Sequence, residues 1–395
     1  MSVIADEKNF EFNGGLKKLS IALMVVGIIA FIASFSMDKT VGWVDFLVTT
    51  LYFVTISVSG LFMLAVTGVI SASWLTPYKR IPEAMTKFLP FGMVMMLAIY
   101  FGLHDLYEWT HTEIVMNDPI LREKVAWLNV NFFMIRMIII FSLWIGFATK
   151  IRGLHRQMDD GDGLAATRKL VSVSAITLIV FGLSISVASW DWVMSLEPHW
   201  FSTIYGIAFF SGSFQSGLSF LVIAIIYLRS KGYFKILTDN HIHDLGKWIL
   251  GMSMFWAYMW ISQYLLIWYA NIPEETEYYI LRHHEWNGMF WANLILNFII
   301  PFMALLSRSA KRSSKRVAIV ASVILVGHLV DLYLMAAPGV FHHAHSHVTG
   351  YGVIQVLEIL GGFGLFIFVV ATALSKSNII SKNDPNLAEG ASLHQ

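Results

Sequence analysis

The residues able to do chemistry in this sequence are titratable groups set inside long apolar runs. His328 and Asp331 stand three apart, which on a helix places both on one face. Arg136, Glu358 and the adjacent pair His104 and Asp105 lie in three other runs. At a helical rise of 1.5 Å per residue, Arg136 sits about 13 Å, His328 and Asp331 roughly 9–14 Å, and Glu358 about 12 Å from the same end of the bundle; His104 and Asp105 are shallower, at about 6–8 Å. A titratable group in a bilayer is costly and is kept where it pairs or moves charge. Histidine beside a carboxylate can exchange protons near neutral pH, which reads as a proton relay opening toward that end. The competing reading is structural, with Arg136 paired to Asp331 or Glu358 to hold helices together. Spacing alone leaves both open. Asp105 and Glu108 are close enough to the end that solvation accounts for them.

The other half of the runs is polar without being charged. Ser57, Ser59, Ser174, Thr177, Ser211, Ser213, Gln215, Ser216 and Ser219 lie there, with Asn293 and Asn297 nearer the middle. Such groups can hold a water wire or can simply hydrogen-bond neighbouring helices. A cluster of His342, His343, His345 and His347 can bind a metal or be ordinary loop histidine. Two b-type haems need facing histidine pairs at two depths, whereas only His104 and His328 fall inside the runs, so haem is excluded. The chain has no cysteine, which removes disulfides, cysteine-ligated iron–sulfur clusters and thioether-bound haem. No phosphate-binding loop, metalloprotease helix or nucleophile elbow is present, and nothing points to nucleic acid.

These groups must be positioned by ten runs of roughly 20 apolar residues, each long enough to cross a bilayer as a helix. They cover 16–37, 46–74, 88–109, 127–149, 170–190, 201–228, 248–270, 286–306, 317–337 and 350–374. Twenty-two of the 27 Lys and Arg residues fall in the two tails and in the gaps after the second, fourth, sixth and eighth runs, with Lys17 and Lys18 at the very start of the first run counted to the N-terminal tail. The other gaps hold only Lys39, Arg122, Lys124 and Arg282. By the positive-inside rule both termini are cytoplasmic. A hydrophobic content of 56%, with 13% charged residues and a mean hydropathy of +0.64, lies outside the soluble range and agrees. The first run is too long for a cleaved leader and reads as a retained span. The longest gap, 150–169, leaves no room for a soluble domain, and the tail 375–395 reads as a loosely ordered cytoplasmic segment. Trp43, Trp109, Trp127, Trp190, Trp192, Trp200, Trp268 and Trp286 cluster at the ends away from the basic gaps, as an interfacial belt does.

The chain also echoes itself at a shift of 159 residues. Gly92, Met93, Met95, Ala98, Leu106, Trp109 and Trp127 fall on Gly251, Met252, Met254, Ala257, Leu265, Trp268 and Trp286. A parallel duplication of four helices follows. The expected fold is therefore an all-α polytopic membrane protein of ten transmembrane helices. A first four-helix bundle spans 46–190 and a second 201–337, with peripheral helices at 16–37 and 350–374.

Three strings carry a resemblance beyond this physics. They are Trp190-Asp191-Trp192-Val193-Met194-Ser195-Leu196 within 189–203, Gly327-His328-Leu329-Val330-Asp331-Leu332-Tyr333, and His104-Asp105-Leu106-Tyr107-Glu108-Trp109. Together they resemble the ActF-type subunits of bacterial alternative complex III, within the NrfD or PsrC family of integral membrane subunits. The resemblance implies a quinol:electron-acceptor oxidoreductase in the bacterial inner membrane that oxidises menaquinol. It further implies a homologous quinol-binding ActC subunit, an ActB iron–sulfur subunit, haem-c subunits and in some cases a terminal oxidase as partners, besides membrane lipid. This chain would hold no cofactor or metal and no catalytic residue, and would contribute to a proton path. Residues fitting that role are Arg136, His328, Asp331, Glu358, His104, Asp105 and Gln215. The alternatives are a quinol-binding redox subunit using His104 and Asp105, and, further off, a secondary transporter. The latter is disfavoured because no run shows a Gly/Pro-broken centre.

Overall fold

A computed structural model describes residues 9–161, 163–344 and 352–392. Ten long helices dominate these residues, and no strand occurs among them. They are α1 (Gly14–Met37), α2 (Lys39–Val69), α3 (Arg80–Leu106, tightened to 3₁₀ geometry at Thr86–Phe88 and Ile99–Gly102), α4 (Val130–Asp159), α5 (Gly163–Trp192), α6 (Tyr205–Ser230), α7 (Asp239–Ala270), α8 (Asn287–Leu305), α9 (Ser314–His343) and α10 (Val353–Ser375). Nine of the ten are long and apolar enough to cross a membrane. The exception, α7, has ample length at 32 residues. Its composition is diluted by Trp256, Trp260, Gln263, Tyr264, Trp268 and Tyr269. The chain is an all-α polytopic membrane protein.

Helices α2 to α5 pack around one another as one four-helix bundle and α6 to α9 as another. The bundles meet along α2 and α6, the two most buried spans. Small residues allow this approach: Gly217 lies directly against Ser59, whose hydroxyl donates to the Ser213 carbonyl at 2.7 Å. Outside the bundles α1 and α10 form a pair in which the backbones of Gly27 and Gly361 touch, leaving no space for a Cβ on either. Single side chains start several helices by accepting from otherwise unpaired backbone N–H groups. Asp38 does so for α2, Asn129 for α4, Thr238 for α7 and Ser313 for α9. The first residues of α3 and α7, Arg80 and Asp239, stand 159 apart, the interval of the sequence echo.

One expectation changes, and the gap 150–169 gains a structure that hydropathy does not show. In that gap α4 runs on to Asp159 and α5 starts at Gly163, because a helix leaving the bilayer keeps its own backbone hydrogen bonds. Hydropathy marks the membrane edge and not the helix end. The segment after α10 is docked instead of loose. Asp384 pairs with buried Lys79, Asn383 donates to the Asp159 carbonyl at 2.6 Å, and His241 donates to the Gly390 carbonyl at 2.9 Å. Its short helix Leu387–Ala391 packs on Ser73–Tyr78, where Gly390 fits against the Ser73 carbonyl.

Candidate functional site

The site is built around Asp331, buried at the centre of the second bundle. Its Oδ1 accepts from Asn293 Nδ2 on α8 at 2.7 Å, and its Oδ2 accepts from Trp256 Nε1 on α7 at 3.1 Å. Among the described residues it makes no ion pair. Asn293 must turn its NH₂ toward the acceptor-only carboxylate, which leaves its Oδ1 to accept from Asn297 Nδ2 at 2.6 Å. Gln215 on α6 completes the chain: its Nε2 donates to the Asn297 carbonyl at 2.8 Å and to Ser253 Oγ at 2.9 Å.

That last bond has a covalent cause. Pro301 lacks the N–H that would bond the carbonyl four residues back, which is the carbonyl of Asn297. Helix α8 responds with a π turn at Ile295–Ile299, and the freed carbonyl takes its donor from Gln215. The same logic operates on α9. Pro338 frees the Leu334 carbonyl, which accepts from Arg282 Nε at 2.8 Å. Helix α8 is thus widened at its centre by a π turn beside the buried network but remains continuous from Asn287 to Leu305.

His328 lies one turn from Asp331, as its spacing requires, and is also buried. Thr55 Oγ1 uses its hydrogen on the Tyr52 carbonyl at 2.9 Å, so the contact of 2.9 Å between His328 Nε2 and Thr55 Oγ1 has the imidazole as donor. Nδ1 is therefore the unprotonated nitrogen, and it has no hydrogen-bond partner among the described residues. Both it and Asp331 Oδ2 border Gly212, where an added Cβ would stand 3.3 Å and 2.9 Å from them. Two proton acceptors share one gap that the missing side chain keeps open.

Beyond Asp331 a cavity of about 30 Å³, room for a water molecule, is lined by Tyr205, Trp256, Gln263, Tyr278 and Arg282. Arg282 comes from the surface helix Pro273–His284, yet is only 2% exposed. Its Nη2 bonds Glu197 Oε1 at 2.5 Å, and the guanidinium lies 3.3 Å over the Tyr278 ring. Burial works against the Arg282 charge, but Glu197 and the tyrosines outweigh it and hold the group above its ordinary value. Burial pushes the Tyr278 hydroxyl up to about 12, so it remains a proton donor. Tyr278 also lines a second cavity of about 280 Å³, walled by Glu197, His199, Glu274, Glu277, His284 and His343. An acidic, histidine-bearing vestibule is thereby separated from Asp331 by the Glu197–Arg282–Tyr278 layer.

Of the residues singled out in the sequence, the fold brings together His328, Asp331 and Gln215. Arg136 goes elsewhere. Its Nε and Nη2 clamp Asp191 at the end of α5, at 2.5 and 3.0 Å, with Trp127 Nε1 donating to the same carboxylate at 2.9 Å. The expected pairing of Arg136 with Asp331 or Glu358 is replaced by this clamp within the first bundle. Glu358 faces α1 and α2 with Asp45, whose Oδ2 accepts from Gln355 at 2.9 Å and Ser34 at 3.3 Å. Asp45 escaped notice because it precedes the apolar run 46–74 by one residue. His104 and Asp105 are exposed at the end of α3, with the His104 ring 3.7 Å from that of His111. Ser57, Ser211, Ser213, Ser216, Ser219 and Thr177 donate to carbonyls three or four residues back in their own helices, so their hydrogens are locally committed. Glu197, Tyr278, Arg282 and Trp256 were missed; the proline four residues after Leu334 was the one local signal for an incoming donor.

His342 and His343 line the vestibule, while His345 and His347 lie outside the described residues. Among the described residues no three His, Asp or Glu side chains converge as a metal site requires. No protein-family model matches the sequence, and no curated protein matches it either.

Proposed function

We propose that this chain is a cofactor-free membrane subunit of a quinol:electron-acceptor oxidoreductase and contributes a proton path through its second bundle, with Asp331 as the exchanging group. The respiratory setting, the bacterial inner membrane and the quinol-binding, iron–sulfur and haem-c partners rest on the resemblance of the three strings, and the cytoplasmic termini on the distribution of Lys and Arg. The proton path rests on geometry. The observation that carries it is a buried carboxylate held by two neutral donors and, among the described residues, no cation, beneath a titratable vestibule. A structural carboxylate in a bilayer is normally matched by a cation, as Asp191 is by Arg136. One held by Asn293 and Trp256 keeps its surroundings intact in either protonation state.

Each neighbour then has a distinct task. The vestibule carboxylates and histidines exchange protons with solvent. Tyr278 and the Arg282–Glu197 pair stand between vestibule and Asp331, so protons pass by a water in the small cavity or by opening of the pair. His328 Nδ1 offers a second acceptor across the Gly212 gap. Asn293, Asn297 and Gln215 orient the carboxylate and do not carry protons, since an amide has no readily exchanged charge.

The test is Asp331→Asn in the assembled complex, with assembly yield, quinol oxidation and proton movement measured together. Normal assembly and quinol oxidation with proton movement lowered at least tenfold is the expected result. Lowered assembly with proton movement per electron unchanged would make Asp331 structural, and unchanged values for all three would remove it from the path.

A further inference from the structure

The basic end of the first bundle carries a third, polar pocket, unrelated to Asp331. It encloses about 590 Å³ where α3, α4 and the segment after α10 meet, and Lys87, Arg152, Arg156 and Lys376 line it. Its carboxylates are mostly engaged already. Glu83 accepts from Arg80 at 2.7 Å and from His155 at 2.6 Å, while Asp159 is held by Arg80 and Ser381. Asp160 alone among the lining acids makes no ion pair with the described residues. The four cations make none either. Arg152, 8% exposed, reaches only hydroxyls, those of Thr86 and of Thr149, the latter at 2.9 Å. The charges of Arg152, Arg156 and Lys376 all act on Lys87, and Glu83, the one opposing charge, is shared with Arg80 and His155. Four unpaired cations facing a single unpaired acid at a membrane edge leave an excess of positive charge, which calls for an anion.

The surroundings say which kind. Phe91 and Val94 follow Lys87 at helical intervals of four and seven, so they share its face, and they are 47% and 68% exposed. An apolar stripe thus leads from the cationic pocket along the bilayer-facing surface of α3. A ligand matching both features has a phosphate at one end and hydrocarbon at the other. We propose that this pocket holds the headgroup phosphate of an anionic phospholipid, with an acyl chain lying along Phe91 and Val94.

The experiment is native mass spectrometry of the full chain in neutral detergent, titrated with dioleoyl phosphatidylglycerol, with dioleoyl phosphatidylcholine, or with inorganic phosphate as competitor. Retention of phosphatidylglycerol over phosphatidylcholine is expected, with no displacement by millimolar phosphate. Surface cations near a membrane contribute about fivefold each, so the double variant Lys87→Gln, Arg156→Gln should weaken retention about 30-fold. Asp160→Asn removes the unpaired acid and should strengthen it, a gain that misfolding cannot mimic. Equal retention of the two lipids, displacement by phosphate, or affinity unmoved in both variants would overturn the proposal.

Discussion

The link between Pro301 and Gln215 gives the sharpest test of why the buried network is arranged as it is. Gln215→Leu removes the donor to the Asn297 carbonyl, which Pro301 has already deprived of its helical partner. A buried acceptor left without a donor costs about 1–3 kcal/mol, and side-chain bonds between membrane helices average about 0.6 with a ceiling near 1.7 kcal/mol. Two bonds are lost, to Asn297 and Ser253, so a destabilisation of about 1–2 kcal/mol is expected. Pro301→Ala restores an N–H at the position that α-helical geometry pairs with Asn297, allowing the π turn at Ile295–Ile299 to close. In that background Gln215→Leu should cost only the Ser253 bond, about 0.6 kcal/mol. The coupling is then about 1 kcal/mol, a factor of roughly five in the unfolding constant. It is read from reversible unfolding in mixed micelles of the wild type, both single variants and the double. Additivity within about 0.3 kcal/mol would refute the reasoning, because the glutamine would then not be answering the proline.

Arg136→Met and Asp191→Asn should each lower stability in the same micelle assay by about 3–5 kcal/mol, since each strands a buried partner. The double variant should recover most of that loss, and a double variant as weak as the sum would show that the pair is not one unit. At the surface, His199 bonds Asp118 at 2.5 Å and, as the leading cause, holds that carboxyl below its ordinary value of 3.8. A depressed carboxyl stabilises above its unfolded value and loses that contribution as pH falls through the lower folded one. A spin label at Asn117→Cys, in a chain with no cysteine of its own, should therefore gain mobility below about pH 4. His199→Ala should make it mobile at neutral pH as well, and a label insensitive to both changes would sever the link. Reporter fusions after Gly163 and after Pro198 should report opposite sides of the membrane; the same side for both would overturn the charge-based topology.

Much of the fold was legible because its signal is local. Apolar runs of bilayer length, polar caps and basic gaps each need only a short window of sequence, and they yielded the helices and their order. The edges were less legible where hydropathy and helicity part company. The stretches 150–159 and 163–169 are polar yet helical, and α7 is 32 residues long but diluted in apolar content by its tryptophans and tyrosines. The Arg136 error has a related origin. Charge and depth nominate a partner but not a direction, and the side chain of Arg136 turns toward Asp191 on a neighbouring helix 55 residues away.

The sequence by itself determined that this chain is a helical membrane protein, and that His328 and Asp331 share one face of one helix. Those statements follow from helix periodicity and from the cost of unpaired backbone in hydrocarbon. Only the tertiary structure decided which titratable groups meet. Asp331 lies among Asn293, Trp256 and the amide chain to Gln215, while Arg136 and Glu358 are drawn into separate contacts. The reason is that hydrogen bonds and ion pairs act over about 3 Å. Which side chains come that close is set by the rotation and close approach of whole helices, through contacts such as Gly217 on Ser59 and Gly27 on Gly361. No single helix carries that information.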